Sequence, residues 1–323
     1  MSFIEVKDLK VHYPIRGGFF NKVIDHVYAV DGVSLTIEEG KTYGLVGESG
    51  SGKSTIGKAI IGLEKIKSGK IIYEGKEIDG KFRNRRSEYN RNVQMIFQDS
   101  LSSLNPKKRV IDLISEPLRN FENLTLDEEK RKVSELLEIV GMNREDIYKY
   151  PHEFSGGQRQ RLGIARAVAT KPKLIIADEP VSALDLSVQA QVLNYMKDIQ
   201  EQFGLSYLFI SHDLGVVKHM CDYMFIMYHG RFVETGEKND IYKNPEHFYT
   251  KRLIAAIPEI HPEKRTENKR RRLEIEREYL ANEKKYYDEN GRVFDLKKLT
   301  DTHFVAFKDK NLRNDENSEK GGK

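Results

Sequence analysis

Residues able to bind phosphate, hold a metal or move a proton recur in this chain directly after short apolar runs. The run 42–46 is followed by Gly47-Glu48-Ser49-Gly50-Ser51-Gly52-Lys53-Ser54. Glycines let backbone N–H groups turn inward around a phosphate, and a helix beginning near Lys53 adds the positive end of its dipole. Lys53 would then pair with the β and γ phosphates of a nucleotide, and the Ser54 hydroxyl would ligate Mg²⁺. A second run, 174–177, delivers Asp178 and Glu179 at its end. Beside the loop their roles separate: Asp178 would hold the Mg²⁺ shell, and Glu179 would polarise, or take a proton from, the water that attacks the γ-phosphate. His212 follows the run 207–210, where it could bond the γ-phosphate and orient Glu179. Gln98 follows the run 93–97 and could contact Mg²⁺ or the attacking water. Glu179, His212, Gln98 and Lys53 are therefore the catalytic candidates, and Ser54, Gln98 and Asp178 the metal candidates.

These groups need a scaffold that brings the ends of four runs together. Runs apolar on both faces and separated by helical patterns predict a mainly parallel sheet covered by helices, an α/β core that collects ligands at its strand ends. Alternating segments at 3–13, 28–37 and 70–74 predict a small antiparallel sheet beside it, with Arg16-Gly17-Gly18-Phe19-Phe20 as the turn of one arm. Between 102 and 154 the pattern becomes helical. Thr125-Leu126-Asp127-Glu128 offers a capping box, and Gly141 a natural stop. A helical subdomain at about 99–170 is thus inserted into a nucleotide-binding domain spanning 1–243. Beyond Pro262 the residues 263–323 form a charged tail. Arg270 with Glu274 and Arg272 with Glu276 are spaced four apart, as on an exposed helix, and the basic cluster 269–272 could instead meet anionic lipid. The end, 311–323, is polar and expected to be disordered.

Composition removes other classes. A net charge of +4, from 54 Lys and Arg against 50 Asp and Glu, is near balance and does not indicate a nucleic-acid surface. No run of about 20 apolar residues exists to span a bilayer, and the start lacks the layout of a secretory signal, so a cytosolic location is expected. The single cysteine, Cys221, excludes an intrachain disulfide and reads as an apolar filler. No internal repeat suggests a solenoid.

The ordered set of 47–55, Gln98, Phe154-Ser155-Gly156-Gly157-Gln158-Arg159-Gln160-Arg161, Asp178-Glu179-Pro180, Ser182-Ala183-Leu184-Asp185 and Ser211-His212-Asp213 resembles a complete ATP-binding-cassette (ABC) ATPase. The resemblance covers about residues 1–262. It implies that ATP and Mg²⁺ are bound through 47–55, Gln98 and Asp178. It also implies that Ser155, Gly156, Gly157, Gln158 and Asp185 act in trans, on ATP held by an opposing subunit. By their residue types alone, Ser155 and the glycines also suit a helix N-cap. Phe154 stands where leucine is usual, at a packing position. Tyr13 resembles the aromatic that stacks on adenine; Tyr28 competes for that role, and either ring could be a core aromatic.

Narrower segments resemble the ATPase subunits of bacterial oligopeptide and dipeptide importers. They are 97–106, 150–154 and Asn244-Pro245-Glu246-His247-Phe248-Tyr249-Thr250-Lys251 with Ile257-Pro258, the last within an extension at 244–262. Phe248 replaces a common proline, and Ser100-Leu101 a proline-aromatic pair. Cysteines found in that extension in some members are missing here. The resemblance therefore implies a head-to-tail heterodimer with a related ATPase at the cytoplasmic face of the cell membrane. Two membrane permeases would contact the groove near 98–106, with an extracytoplasmic peptide-binding protein beyond them. An importer of nickel or another solute is the nearest alternative, and a soluble non-transport ABC ATPase a more distant one.

Overall fold

Segments 174–177 and 207–210 are apolar at every position, so they have no face to offer to water and must lie inside a sheet. The computed structural model describes residues 2–18, 20–78, 87–99, 103–257 and 265–308. Phe19, Ser100, Leu101, Ser102, Pro258, Pro262 and 311–323, all named from the sequence, fall outside them. Two compact units result, Met1–Arg231 and Phe232–Lys323. Strands of the first are β1 (Ser2–Gly17), β2 (Lys22–Glu38), β3 (Thr42–Val46), β4 (Ser68–Tyr73), β5 (Lys76–Glu77), β6 (Val93–Ile96), β7 (Leu174–Asp178), β8 (Ser206–Ser211) and β9 (Tyr223–Tyr228). Its helices are α1 (Lys53–Ile60), α2 (Glu88–Asn92), α3 (Val110–Phe121), α4 (Leu126–Ile139), α5 (Gly156–Val168), α6 (Leu186–Phe203) and α7 (Leu214–Met220).

Strands β9, β3, β8, β7 and β6 lie side by side in that order, all parallel, and every residue of β3, β7 and β8 is buried. The pairing sets Val46 level with Ser211, Asp178 with Ile210 and Ile96 with Ala177. Consequently the residues that follow β3, β6, β7 and β8 leave the sheet at one edge. Strands β2, β1, β4 and β5 form the expected antiparallel sheet. Strand β9 lies beyond the expected set, although its six residues form another apolar run. Cys221 is buried, as a filler would be.

Helices α3, α4 and α5 pack on one another within 99–170. The capping box is present: Thr125 N–H donates to Glu128 Oε2 at 2.8 Å, and Glu128 N–H to Thr125 Oγ1 at 3.4 Å. After α4, Gly141 turns the chain at φ +68°. Arg119 grips the buried Glu129 with two donors, tying α3 to α4.

The second unit begins within β10 (Arg231–Glu237) and continues through α8 (Lys238–Lys243), α9 (Phe248–Ala255), α10 (Arg265–Asn282), β11 (Leu296–Lys298) and β12 (Phe304–Ala306). Here 263–323 departs from the exposed-helix-and-tail expectation. Helix α10 is exposed, but β12 pairs with both β10 and β11. The Arg270–Glu274 pair forms at 3.4 Å; Arg272–Glu276 does not. Arg272 instead donates to the carbonyls of Ala255 and Ala256, where a cation complements the C-terminal end of α9. Glu276 pairs with Arg252 at 3.0 Å.

A buried carboxylate organises this unit. Glu234 accepts from Glu246 N–H (2.8 Å), His247 N–H (3.0 Å) and His303 Nε2 (2.7 Å), and Glu234 beside it raises the His303 pKa. His247 Nδ1 accepts the Tyr249 N–H and caps α9, which requires a neutral ring, and burial pushes its pKa down to about 3. The signs of these two histidines oppose. His303 has a raised folded value, so its contribution is complete below the ordinary value of 6.5 and is lost as pH climbs through the raised one. His247 has a lowered folded value, so its contribution is complete above 6.5 and is lost as pH falls toward about 3. Hydrogen exchange of the amides in 232–257 and 265–308, corrected for intrinsic rates, should therefore show greatest protection near neutrality and weaker protection at both pH 5 and pH 9. Undiminished protection at pH 5 would contradict a neutral His247.

Candidate functional site

The loop after β3 is confined by two backbones. A Cβ at Gly47 would sit 2.1 Å from the carbonyl oxygen of Met227 in β9, and one at Gly52 would sit 2.0 Å from that of Ala29 in β2. Gly230 N–H also donates to Ser51 O at 3.0 Å. Gly52, at φ +104°, caps α1 without any side-chain bond, so no side chain occupies the first N–H groups of that helix. Lys53 is buried and folds back on its own loop, donating to Gly47 O (2.8 Å), Glu48 O (2.7 Å) and Ser51 Oγ (3.3 Å). Among the described residues it forms no ion pair, and desolvation lowers its pKa against the pull of Glu179, Asp178 and Glu48. A desolvated cation held only by neutral oxygens fits an anionic phosphate.

Ser54 Oγ donates to Asp178 Oδ1 at 2.7 Å. Asp178 is buried, and desolvation raises its pKa while Ser54 and Lys58 oppose the rise. A hydroxyl and a desolvated carboxylate joined in this way are hard oxygen ligands that fit Mg²⁺.

Glu179 carries positive φ, +45°, in the left-handed region that costs a side-chain-bearing residue roughly 1–2 kcal/mol. Its N–H donates to Ile210 O (2.9 Å), and its carbonyl accepts from Ser182 N (3.3 Å) and Ser182 Oγ (3.1 Å). The turn aims its carboxylate back across the strand ends. Gln98 Nε2 donates to Oε2 at 2.8 Å, and His212 Nδ1 lies 3.0 Å from Oε1. Groups leaving β6, β7 and β8 thus meet on one carboxylate. Asp213, capping α7 through Gly215 N and Val216 N, fixes the chain just after His212.

Tyr13 and Tyr28 are 37% and 54% exposed, so neither is a core aromatic. Tyr13 pairs with Val27 and Tyr28 with His12, which places the two rings on opposite faces of the β1–β2 ribbon. Tyr28 packs edge-on against His12, with ring centroids 4.5 Å apart. The Tyr13 hydroxyl interacts with Glu64 and with Thr55 of α1; burial raises its pKa, Glu64 adds to the rise and Thr55 opposes it. Tyr13 is accordingly the ring beside the phosphate loop.

The remaining candidates gather elsewhere. Ser155 caps α5 reciprocally: Gln158 N–H donates to Ser155 Oγ (3.3 Å), and Ser155 N–H to Gln158 Oε1 (2.9 Å). A Cβ on Gly157 would lie 2.6 Å from Val188, and one on Gly156 would lie 4.0 Å from Leu184. The 155–158 run therefore rests beside Asp185, the N-cap of α6, whose exposed carboxylate makes no capping bond. These contacts run to 184–188 rather than to the phosphate loop. Phe154 is buried, a packing position as expected. Sequence patterns do not reveal Ser182 as a support for Glu179, or β9 as the floor of the loop; only the apolar run of β9 signals the latter.

A family model described as "ABC transporter" matches residues 30–182, and "Oligopeptide/dipeptide transporter, C-terminal region" matches 233–289. The oligopeptide transport ATP-binding protein OppF of Lactococcus lactis subsp. lactis (strain IL1403) is 57% identical over 305 residues, covering 94% of this chain and 96% of that protein. The di/tripeptide transport ATP-binding protein DppF of Pseudomonas aeruginosa (strain UCBPP-PA14) is 45% identical, covering 81% of each chain. Among solved structures, a dimeric post-hydrolysis state of the ATP-binding cassette MJ0796 bound to ADP and Pi matches with TM-score 0.64 at 25% identity, covering 73% of this chain and 98% of that one.

Geometry around Gly47 yields a test. Gly47→Ala drives a methyl into the Met227 carbonyl, which cannot yield as a side-chain tip would. Nucleotide affinity, titrated with a fluorescent ATP analogue, should fall at least about tenfold, or roughly 1.4 kcal/mol. Gly163→Ala, with nothing within 4 Å of its Cβ and no positive φ, should leave affinity unchanged.

Proposed function

Because the chain belongs to the family of ABC-transporter ATP-binding subunits that serve oligopeptide transport, we propose a division of labour among its residues in which one strand edge hydrolyses ATP and a separate patch completes a partner's site. The observation that carries the reading is the meeting of Gln98 and His212 on the two oxygens of Glu179. ATP lies along 47–55, its adenine against Tyr13. Lys53, freed from its loop carbonyls, takes the β and γ phosphates. Ser54, Asp178 and Gln98 would hold Mg²⁺, which when bound supplies positive charge to the phosphate oxygens. Glu179 accepts the proton of the attacking water. His212 holds the Glu179 carboxylate in place and reaches the γ-phosphate.

Ser155, Gly156, Gly157, Gln158 and Asp185 serve ATP held by a related ATPase in a head-to-tail heterodimer. Their separation from Lys53 and Glu179 in hydrogen-bonding and packing supports that role. Two permeases would seat near 98–106, and a peptide-binding protein would deliver substrate from the other side. No helix among the described residues is long and apolar enough to cross a bilayer. We place the chain as a peripheral subunit on the cytoplasmic face, held by those permeases. Within it, 1–243 is the ATPase domain, 244–262 the family extension and 263–323 a further segment.

Two measurements test this. Glu179→Gln should still bind ATP while hydrolysis in the assembled transporter falls about a hundredfold or more and the closed dimer persists. Normal turnover would remove Glu179 from its role. Ser155→Arg in this chain, assembled with an unaltered partner, should impair hydrolysis on the partner's phosphate loop. Failure confined to this chain's own site would overturn the trans assignment.

A further inference from the structure

The β1–β2 ribbon outruns its sheet. Pairing of β1 with β4 ends at Lys10, whereas pairing with β2 continues to Gly17 and Lys22, so the end of the ribbon stands as two strands alone. Such a ribbon is expected to be polar on both faces. This one is not. Ile15, Val23, Ile24 and Val27 are all exposed, Ile24 by 68%, and Phe20 at the turn is 79% exposed. Register places Tyr13, Val27 and Ile15 on one face, and Ile24 lies over Gly17, its Cδ1 2.8 Å from where a Cβ would stand there. Val27, Ile15 and Ile24 therefore share the face that leads from Tyr13 to the turn, with Asp25 opposite Ile15 on it, while Val23 lies with Arg16 on the other face.

Charge says what covers it. The tip, 15–24, holds Arg16 and Lys22 and no acid; Asp25, whose Oδ1 accepts the His26 N–H, is the one carboxylate in the sequence of 14–27. An apolar tip ringed by cations complements an anionic bilayer surface, in which aliphatic and aromatic groups enter the headgroup layer while Lys and Arg meet lipid phosphates. We infer that the arm formed by 14–27 docks on anionic lipid headgroups and steadies this subunit against the membrane. The inference is independent of the roles given to Glu179 or Ser155, so its failure leaves them standing.

Tryptophan is absent from the chain, so Phe20→Trp creates a single fluorophore at the arm's turn. With the full-length protein and vesicles of equal parts phosphatidylglycerol and phosphatidylcholine, emission should shift to the blue; pure phosphatidylcholine should give no shift, and 1 M salt should reverse it. Reversing both cations, Arg16→Glu with Lys22→Glu, should weaken partitioning at least about 25-fold, taking each basic residue as worth roughly fivefold. Ile15→Asn, which puts no like charge opposite Asp25, should do so without changing the melting temperature or basal ATPase rate. Unshifted emission from the Phe20→Trp variant on anionic vesicles overturns the proposal. So does vesicle binding that survives the charge reversal, which would assign it to another basic surface such as 269–272. A shift that requires the partner ATPase rather than lipid would make the arm a protein contact and equally overturn it.

Discussion

Parallel strands that are paired level with one another must also stop level, and the cluster of polar groups at the strand ends depends on that. The Asp178–Ile210 and Ile96–Ala177 pairings mean that Glu179, Gln98 and His212 leave the sheet within one side-chain length of each other. A slip of one residue would turn every buried side chain of β7 toward the opposite face and carry the carboxylates away from Ser54 and His212. Burial of β7 and β8 on both faces makes such a slip prohibitive. Register is thus enforced by apolar contact, and the polar constellation inherits its precision from groups that do no chemistry.

Desolvation then decides what the polar groups do. In both units charges are buried, but they are satisfied differently. Glu234 is fully provided with donors from His303, Glu246 and His247, so it needs nothing more and acts as a structural pin. Lys53 and Asp178 are held by neutral partners alone, carbonyls and hydroxyls, and each remains short of an opposite charge. The incomplete pair suits the ligand proposed for it, and the complete one is a joint. A phosphate at the proposed site would need only to exchange the bonds from Lys53 to neutral loop oxygens for stronger ones in which both partners are charged.

The core and the gathering of polar groups at the strand ends were legible because both leave local marks: apolar runs of fixed length, and glycines, carboxylates and a histidine immediately after them. Thr125 with Glu128 was legible for the same reason, since a capping box is written within four residues. What the sequence hid is non-local. Arg272 has Glu276 at the right spacing, yet the carbonyls of Ala255 and Ala256 take it, and no pattern within α10 announces them. Strand β12 is three residues long, too short for alternation to register, and depends on His303 reaching Glu234. The positive φ of Glu179 is equally unwritten, because glutamate has no preference for that conformation and the bonds that accompany it come from Ile210, Ser182, Gln98 and His212.

That backbone twist at Glu179 has a bearing on any attempt to improve the protein by selection. A residue held in the left-handed region is the place where glycine relieves strain, by about 1 kcal/mol at a compatible site. A library ranked on thermal robustness alone would therefore enrich Glu179→Gly among its survivors, and would do so by discarding the carboxylate that Gln98 and His212 converge upon. On the role proposed for Glu179, hardiness and turnover are set against one another at a single peptide unit, so a useful screen must score both in the same clone.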